Sequence, residues 1–238
     1  MILITGTGGK LGRQLKKTFS GALTPTHKEL DISRKGEVFE YIKKHKPDTI
    51  IHAAALTGIG ICDNDKKLAW ETNVNGTENL VNACLKYNPD VYFIYISTAC
   101  VFHGERGMYK ENDIPHPKNF YAITKLIGEF VVKKLKNCLI VRTNFVAKEK
   151  WMYPKAFIDR FGTYLFAEDV ARGIKDVIEN KLNGIVHITG DKKMSMFELA
   201  RITTKSVQPM TLKEYSGVPL TVDMTLDTSR WKKYKISS

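Results

Sequence analysis

Strands that alternate with helices, a glycine cluster where the first strand stops, and a hydroxyl pair where a later strand stops predict a doubly wound α/β fold. Such a fold holds a parallel sheet covered by helices on both faces. The chain opens Met1-Ile2-Leu3-Ile4-Thr5, a short apolar run that reads as a buried strand ending at Gly6. Leu11, Leu15 and Phe19 then recur every four residues, which is one face of a helix. A short strand over residues 21–24 is expected to end at Pro25, and residues 35–46 predict a helix with Val38, Phe39 and Ile42 inward. Residues 49–55 (TIIHAAA) form the next buried strand, and a long helical pattern covers residues 65–87. A strand at 91–97 (VYFIYIS), a helix at 121–135 and a strand at 139–143 follow. The last predicted units are a helix at 168–180, a strand at 185–189 and a helix at 195–207 with Ser195 as its N-cap. After about residue 145, Trp151, Tyr153 and Pro154 interrupt the pattern and the elements shorten. The expected organisation is a main domain over residues 1–145. A small α/β portion over residues 146–238 is expected to return partly to the main sheet.

Composition narrows the class. The 238 residues carry 37 Lys and Arg against 25 Asp and Glu, a net charge of +12, with 43% hydrophobic and 26% charged residues. That balance belongs to a globular chain able to build a core without staples. No run approaches the roughly 18 apolar residues of a membrane span, and the N-terminus lacks a basic, apolar leader. A cytoplasmic protein with no membrane role is the expectation. Cys62, Cys84, Cys100 and Cys138 form no CxxC pair, so reduced thiols are expected and no metal site is assigned. The basic residues are scattered in short runs such as Lys16-Lys17 and Lys43-Lys44, with no nucleic-acid-binding signature. A positive field of this kind suits a protein that handles diphosphate-bearing small molecules.

The first turn reads Thr5-Gly6-Thr7-Gly8-Gly9-Lys10-Leu11-Gly12, with glycines at 6, 9 and 12. Between a strand and an amphipathic helix, this spacing predicts a Rossmann-like pyrophosphate loop. Absent side chains let phosphates approach, and the N–H groups of Lys10, Leu11, Gly12 and Arg13 face them at the positive end of the helix dipole. An acid at the tip of the second strand would grip the ribose hydroxyls of NAD, whereas a base would suit the 2′-phosphate of NADP. The sequence there is Thr24-Pro25-Thr26-His27-Lys28, and Arg13 follows the last loop glycine. This favours NADP(H) and leaves NAD(H) open.

Tyr121 and Lys125 lie four residues apart and share a helical face. A phenol alone is a poor acid near neutral pH, and an adjacent ammonium would lower its pKa. The pair becomes a general acid for a carbonyl under reduction. Ser97-Thr98 ends the strand before it, at the carboxyl edge where ligands gather in open α/β sheets.

These features together resemble the extended short-chain dehydrogenase/reductase family. The segments TGTGGKLG (5–12), LDIS (30–33), KPDTIIHAAALT (46–57) and AWETNVNGTENLVNAC (69–84) carry the resemblance. So do STACVFHG (97–104), YKENDIPHPKNFYAITKLIGE (109–129), VRTN (141–144) and GIVHITG (184–190), with LDTSR (226–230) as a weaker echo. The resemblance implies reduction of a nucleotide-linked 4-keto-6-deoxy sugar in deoxysugar biosynthesis. It also admits an epimerase of the same family, or a non-catalytic NADP-binding regulatory subunit, and leaves a homodimer open.

By the resemblance, Tyr121 gives a proton to the sugar C4 oxygen. Lys125 holds the nicotinamide ribose, and Thr98 with Ser97 bonds the substrate carbonyl. Gly6, Gly9 and Gly12 form the pyrophosphate loop, Asp31 and Ile32 cap the adenine, and Ala53, Ala54, Ala55 and Thr57 run along the cofactor. Asn73 supports them from behind. Two departures accompany the match. Ala99-Cys100 stands where reductases of this type carry Asp-Tyr, which also removes the acid/base pair a dehydratase needs. The segment between Val146 and Phe161 is shorter than the family's pocket-lining helix, leaving Trp151 and Tyr153 either to stack on a ring or to plug the gap. His52 reads as a satisfied core histidine, and Glu111 and Asp113 as parts of a turn before Pro115.

Overall fold

The computed structural model describes residues 1–237. Five parallel strands form its main sheet: β1 (Ile2–Thr5), β2 (Thr49–His52), β3 (Tyr92–Thr98), β4 (Cys138–Thr143) and β5 (Gly184–Ile188), in that spatial order. Their side chains alternate between two buried faces, so the apolar runs are continuous. Leu3, Ile50, Phe93 and Ile140 face one core, and Ile4, Ile51, Ile94 and Val141 face the other.

Each core is closed by its own helices. The first is covered by α2 (Lys35–His45), α3 (Gly76–Tyr87) and α4 (Phe120–Val132), through Val38, Ile42, Leu80, Val81 and Val132. The second is covered by α1 (Lys10–Thr18) and α5 (Ala167–Glu179), through Leu11, Leu15, Val170, Ile174 and Val177. At one point α4 must come unusually close to the sheet: a Cβ on Gly128 would lie 2.1 Å from the Tyr95 hydroxyl.

The strand expected at residues 21–24 shrinks to one bridge. Leu23 N–H donates to Ile2 O and Leu23 O accepts from Ile4 N, both at 2.8 Å, on the edge of β1 opposite β2. Pro25 has no N–H to continue the ladder. The chain therefore leaves β1 in one direction and returns by α2 to β2 in the other. The order reverses at β1, and the crevice beyond β1 and β2 is where an open α/β sheet takes its ligand.

Two other elements differ from expectation. The strand at 49–55 ends at His52, which frees Ala53–Ala55 to line that crevice. The helix expected over 65–87 is broken: a turn of π-helix, Glu71–Asn75, joins Lys66–Trp70 to α3. Beyond β4, short strands pair in two- and three-stranded patches, including Lys155–Phe157 with Gln208–Met210. The helix expected at 195–207 is α6 (Met196–Thr203), with Ser195 as its N-cap. Ser195 Oγ accepts from Glu198 N–H, and the Glu198 carboxylate accepts from Ser195 N–H.

Candidate active site

A cleft of about 1100 Å³ runs along the carboxyl ends of β1 to β4. Its floor at one end is the glycine turn. Gly6 adopts φ +76°, and a Cβ there would meet Ala54 N at 2.5 Å. A Cβ on Gly12 would lie 2.1 Å from Gly6 O, so only glycine lets α1 start against the turn. Gly9 caps α1, with its N–H on Gly6 O at 3.0 Å and its O accepting from Arg13 N–H. Gly8 has open space around it and is under no such constraint. The first-turn N–H groups of Lys10, Leu11 and Gly12 therefore front a cradle shaped for a pyrophosphate.

The floor beneath Ala54 is braced by a buried hydroxyl–imidazole chain. Thr77 Oγ donates to Asn73 O at 2.6 Å, so it accepts from His52 Nε2 at 3.0 Å. His52 Nδ1 then accepts from Thr5 Oγ at 2.7 Å, and Thr5 Oγ accepts from Ala54 N–H. Every partner suits a neutral imidazole, and burial, aided by the Lys125 charge, drives the His52 pKa down to about 3. His52 is the satisfied core histidine that its strand position suggested.

Most of the expected contacts reach the cleft. Gly6, Gly9, Lys10, Leu11, Gly12, Asp31, Ile32, Ala53, Ala54, Ala55, Thr57, Ser97, Thr98, Tyr121 and Lys125 all line it. Arg13 does not. It is exposed and faces Glu149 at 3.9 Å, outside the residues that line the cleft. Asn73 also stays out of the cleft and acts through its neighbours. Its side chain bonds both Leu56 N and Leu56 O and donates to Thr124 Oγ, which donates to Tyr121 O. The π turn thus ties the loop after β2 to the helix that carries Tyr121.

At the adenosine end, Asp31 is already engaged. Ser33 N–H and Oγ donate to Asp31 Oδ1, while His27 and Arg34 flank Oδ2 at 3.6 and 3.5 Å. Burial works against its charge, but the Ser33 hydrogen bonds and these cations hold its carboxyl below the usual range. Lys16, Thr26 and His27 line the same end. The sequence reading missed Lys16, although it lies one helical turn past Gly12 on α1 and that spacing was legible.

At the other end, α4 presents Tyr121 and Lys125 toward Thr98. The expected lowering of the Tyr121 phenol is not what this cleft gives. Burial raises it, the Cys100 thiol adds to the rise, and a hydrogen bond from Thr98 opposes it. The Lys125 ammonium lies 4.0 Å from the Tyr95 ring centroid, and burial brings its pKa down to about 7 while Glu129 pulls it back up. Ser97 differs from expectation too. Its hydroxyl donates to Glu129 Oε1 at 2.5 Å, so toward the cleft it offers only acceptor lone pairs.

Glu111 lies in the turn before Pro115, as expected, but it is also buried, and it accepts from His187 N–H, Thr228 Oγ and Ser229 N–H, fastening the LDTSR segment to β5. Asp113 does close a turn, accepting from Lys110 N–H at 2.7 Å. Trp151 packs beside Ala156, Ala200 and Val207 with its indole N–H on Lys155 O, which is the plug of the two alternatives. Tyr153 is exposed beside it and away from the cleft lining. Cys100 lines the cleft next to Tyr121, with Met224 Sδ 3.4 Å behind it. All four cysteines are buried and unpaired. No group of three or more His, Cys, Asp or Glu side chains among the described residues could hold a metal ion. No helix among them is long and apolar enough to cross a membrane.

A parallel sheet reversing at β1, a glycine cradle, and a tyrosine and lysine at the far end define an oxidoreductase of the extended short-chain dehydrogenase/reductase type. Residues 1–221 match the family described as RmlD substrate binding domain, and the chain belongs to that family. The dTDP-4-dehydrorhamnose reductase of Aggregatibacter actinomycetemcomitans is 31% identical over 229 residues, covering 84% of this chain and 76% of the relative. The methionine adenosyltransferase 2 subunit beta of Xenopus laevis is 28% identical over 278 residues, covering 98% of this chain and 82% of the relative. Among solved structures, dTDP-4-dehydrorhamnose reductase from Bacillus anthracis str. Ames in complex with NADP superposes with a TM-score of 0.86. It is 26% identical, with 95% of this chain and 89% of that one covered.

Proposed function

We propose that the protein reduces a nucleotide-linked 4-keto-6-deoxy sugar, of the dTDP-4-dehydrorhamnose kind, with NADPH as reductant, in the cytoplasm. The observation that carries this reading is the single cleft that joins the glycine cradle to Tyr121, Lys125 and Thr98. The cradle fits a dinucleotide: Gly6 and Gly12 leave no room for a Cβ, and the first-turn N–H groups of α1 lie free for phosphate oxygens. When bound, the cofactor supplies a hydride to the sugar carbonyl carbon. Tyr121 supplies the proton to the carbonyl oxygen, which Thr98 orients, and Lys125 holds the ribose hydroxyls. Residues 146–238 form the sugar-binding portion.

NADPH is favoured over NADH because the Asp31 carboxylate is held by Ser33 and flanked by His27 and Arg34, so it is not free to grip ribose hydroxyls. Lys16 at the same end supplies positive charge for a 2′-phosphate, and His27 lies beside it in the cleft lining. The decisive experiment is a screen of dTDP- and UDP-linked keto sugars followed by the loss of NADPH absorbance. Turnover with dTDP-4-dehydrorhamnose is expected, and no turnover with any keto sugar would sink the reading.

A second reading is a regulatory subunit that binds the dinucleotide without turning over a sugar. It is favoured by the match to the methionine adenosyltransferase subunit across 98% of the chain and by Cys100 at the sugar end of the cleft. Thermal stabilisation by both NADPH and a dTDP-sugar supports the enzyme, and stabilisation by the dinucleotide alone supports the subunit.

A further inference from the structure

Beneath the Tyr121 end of the cleft lies a buried ion pair that the proposed reaction does not use. Tyr121, Lys125 and Glu129 follow at four-residue spacing and make one stripe along α4. Glu129 is 1% exposed, and its carboxylate takes Arg142 in a fork, Nε on Oε1 at 3.0 Å and Nη2 on Oε2 at 2.7 Å. Oε1 also takes the Ser97 hydroxyl. Ser97 and Arg142 are direct partners in the register of β3 and β4, so one carboxylate from the helix spans two neighbouring strands. Arg142 is completed by Glu111 O at 3.4 Å and by the face of Phe102, 5.0 Å to the ring centroid.

Such a pair needs an explanation other than stability. Removing two charges from water costs as much as their attraction returns, and well-packed apolar residues would serve the core as well. What apolar residues could not supply is a negative charge one helical turn from Lys125. The groups facing Lys125 from the neighbouring elements give it no other counter-charge. On β3 it meets the Tyr95 ring, on β2 His52 is held neutral, and Tyr121 on α4 is a neutral phenol. On the π turn, Glu71 is 3.9 Å from Lys67 and Asn73 is uncharged.

We propose that Glu129 is a positioning residue of the active site: it is the counter-charge that holds Lys125 as an ammonium against its burial and fixes the Ser97 hydroxyl as an acceptor toward the cleft. This rests on the dinucleotide reading of the cleft. Cofactor affinity then depends on the charge of Lys125, which burial opposes and Glu129 supports.

The test is NADPH binding, read by nicotinamide fluorescence between pH 5.5 and 8.5, in the wild type, in Glu129→Gln and in Ser97→Ala. Without the carboxylate, the midpoint of the affinity-against-pH curve should move about one unit to the acid side, which at pH 7 is roughly fivefold weaker binding. Near pH 5.5 the two proteins should bind within about twofold of each other, since Lys125 is protonated in both. Ser97→Ala should keep the wild-type midpoint. Glu129→Gln leaves the Arg142 guanidinium buried alone and can fail to fold, so Glu129→Gln/Arg142→Gln, which removes both charges, is measured beside it. A purely structural pair predicts a wild-type midpoint in that double variant, and such a result overturns the proposal. A persisting acid shift supports it. A wild type that binds neither NADPH nor NADH at any pH overturns the dinucleotide reading itself, which separates the two failures.

Discussion

At the glycine end of the cleft, shape is set by backbone against backbone, with Gly12 and Gly6 so close that a single methyl has no room. At the tyrosine end it is set by side chains from three strands and one helix: Tyr95 and Ser97 on β3, His52 on β2, Arg142 on β4, and Tyr121, Lys125 and Glu129 on α4. The first end tolerates no substitution at its close contacts but little there depends on protonation. The second end tolerates changes of shape better than changes of charge, because each ionisable group sits in low dielectric and is balanced by a specific partner. One cleft thus joins a steric half to an electrostatic half, and they should fail differently.

The largest expected effect is on the electrostatic side. Tyr121→Phe removes the proton donor and keeps the ring, so kcat for NADPH oxidation should fall by roughly 10²–10⁴-fold. NADPH affinity, measured by fluorescence titration, should stay within about twofold of wild type. A normal kcat in this variant would assign the proton to another group.

The steric half is broken by Gly12→Ala. The new Cβ would stand 2.1 Å from Gly6 O, where the obstacle is backbone and cannot rotate away. Overpacking of this kind costs about 1–3 kcal/mol. Stability in urea should drop by that amount and the thermal shift on adding NADPH should vanish. Gly8→Ala is the internal control, since nothing lies within 4 Å of its Cβ.

His52 joins the two halves, bracing the Ala54 floor while lying close enough to feel Lys125. It stays neutral in the fold, with a pKa of about 3 against 6.5 for an ordinary histidine. The unfolded chain therefore takes up a proton that the native chain refuses as pH falls below about 6.5. Its contribution to stability is complete above that pH and is lost progressively toward pH 3, by up to about 1.4 kcal/mol per unit. His52→Gln should be less stable at pH 7 by about 1 kcal/mol for the disturbed hydrogen bonds. Its urea midpoint should also fall less steeply between pH 6 and pH 4. An equally steep fall in both proteins would remove His52 from the account.

The smallest expected effect concerns cofactor choice. Lys16→Ala should raise the KM for NADPH about two- to fivefold and leave that for NADH unchanged, as befits one solvent-exposed charge near a phosphate. Equal changes for both cofactors would place Lys16 on the pyrophosphate instead.

The steric half was the more legible of the two. Gly6, Gly9 and Gly12 between an apolar run and an amphipathic repeat dictate a tight turn and a helix start by local rules alone, and the structure puts the close contacts at Gly6 and Gly12. The i, i+4 spacing of Tyr121 and Lys125 likewise follows from one helix. The features that stayed hidden were those whose partners are distant in sequence. Glu111 meets residues 228 and 229, more than a hundred positions away, so nothing near it could reveal an anchor.

Alternating apolar runs, glycine spacing and helix periodicity by themselves determined the parallel sheet, the cradle and the stripe that carries Tyr121. These depend on backbone sterics and on burial of adjacent residues, which short-range order encodes. Only the tertiary structure decided the polar arrangement of the site: that the Ser97 hydroxyl donates its hydrogen bond to Glu129, that Lys125 rests on Tyr95, and that His52 stays neutral between two threonines. Charge in a low-dielectric interior responds to every group within a few ångströms, and those groups come together only when β2, β3, β4 and α4 assemble.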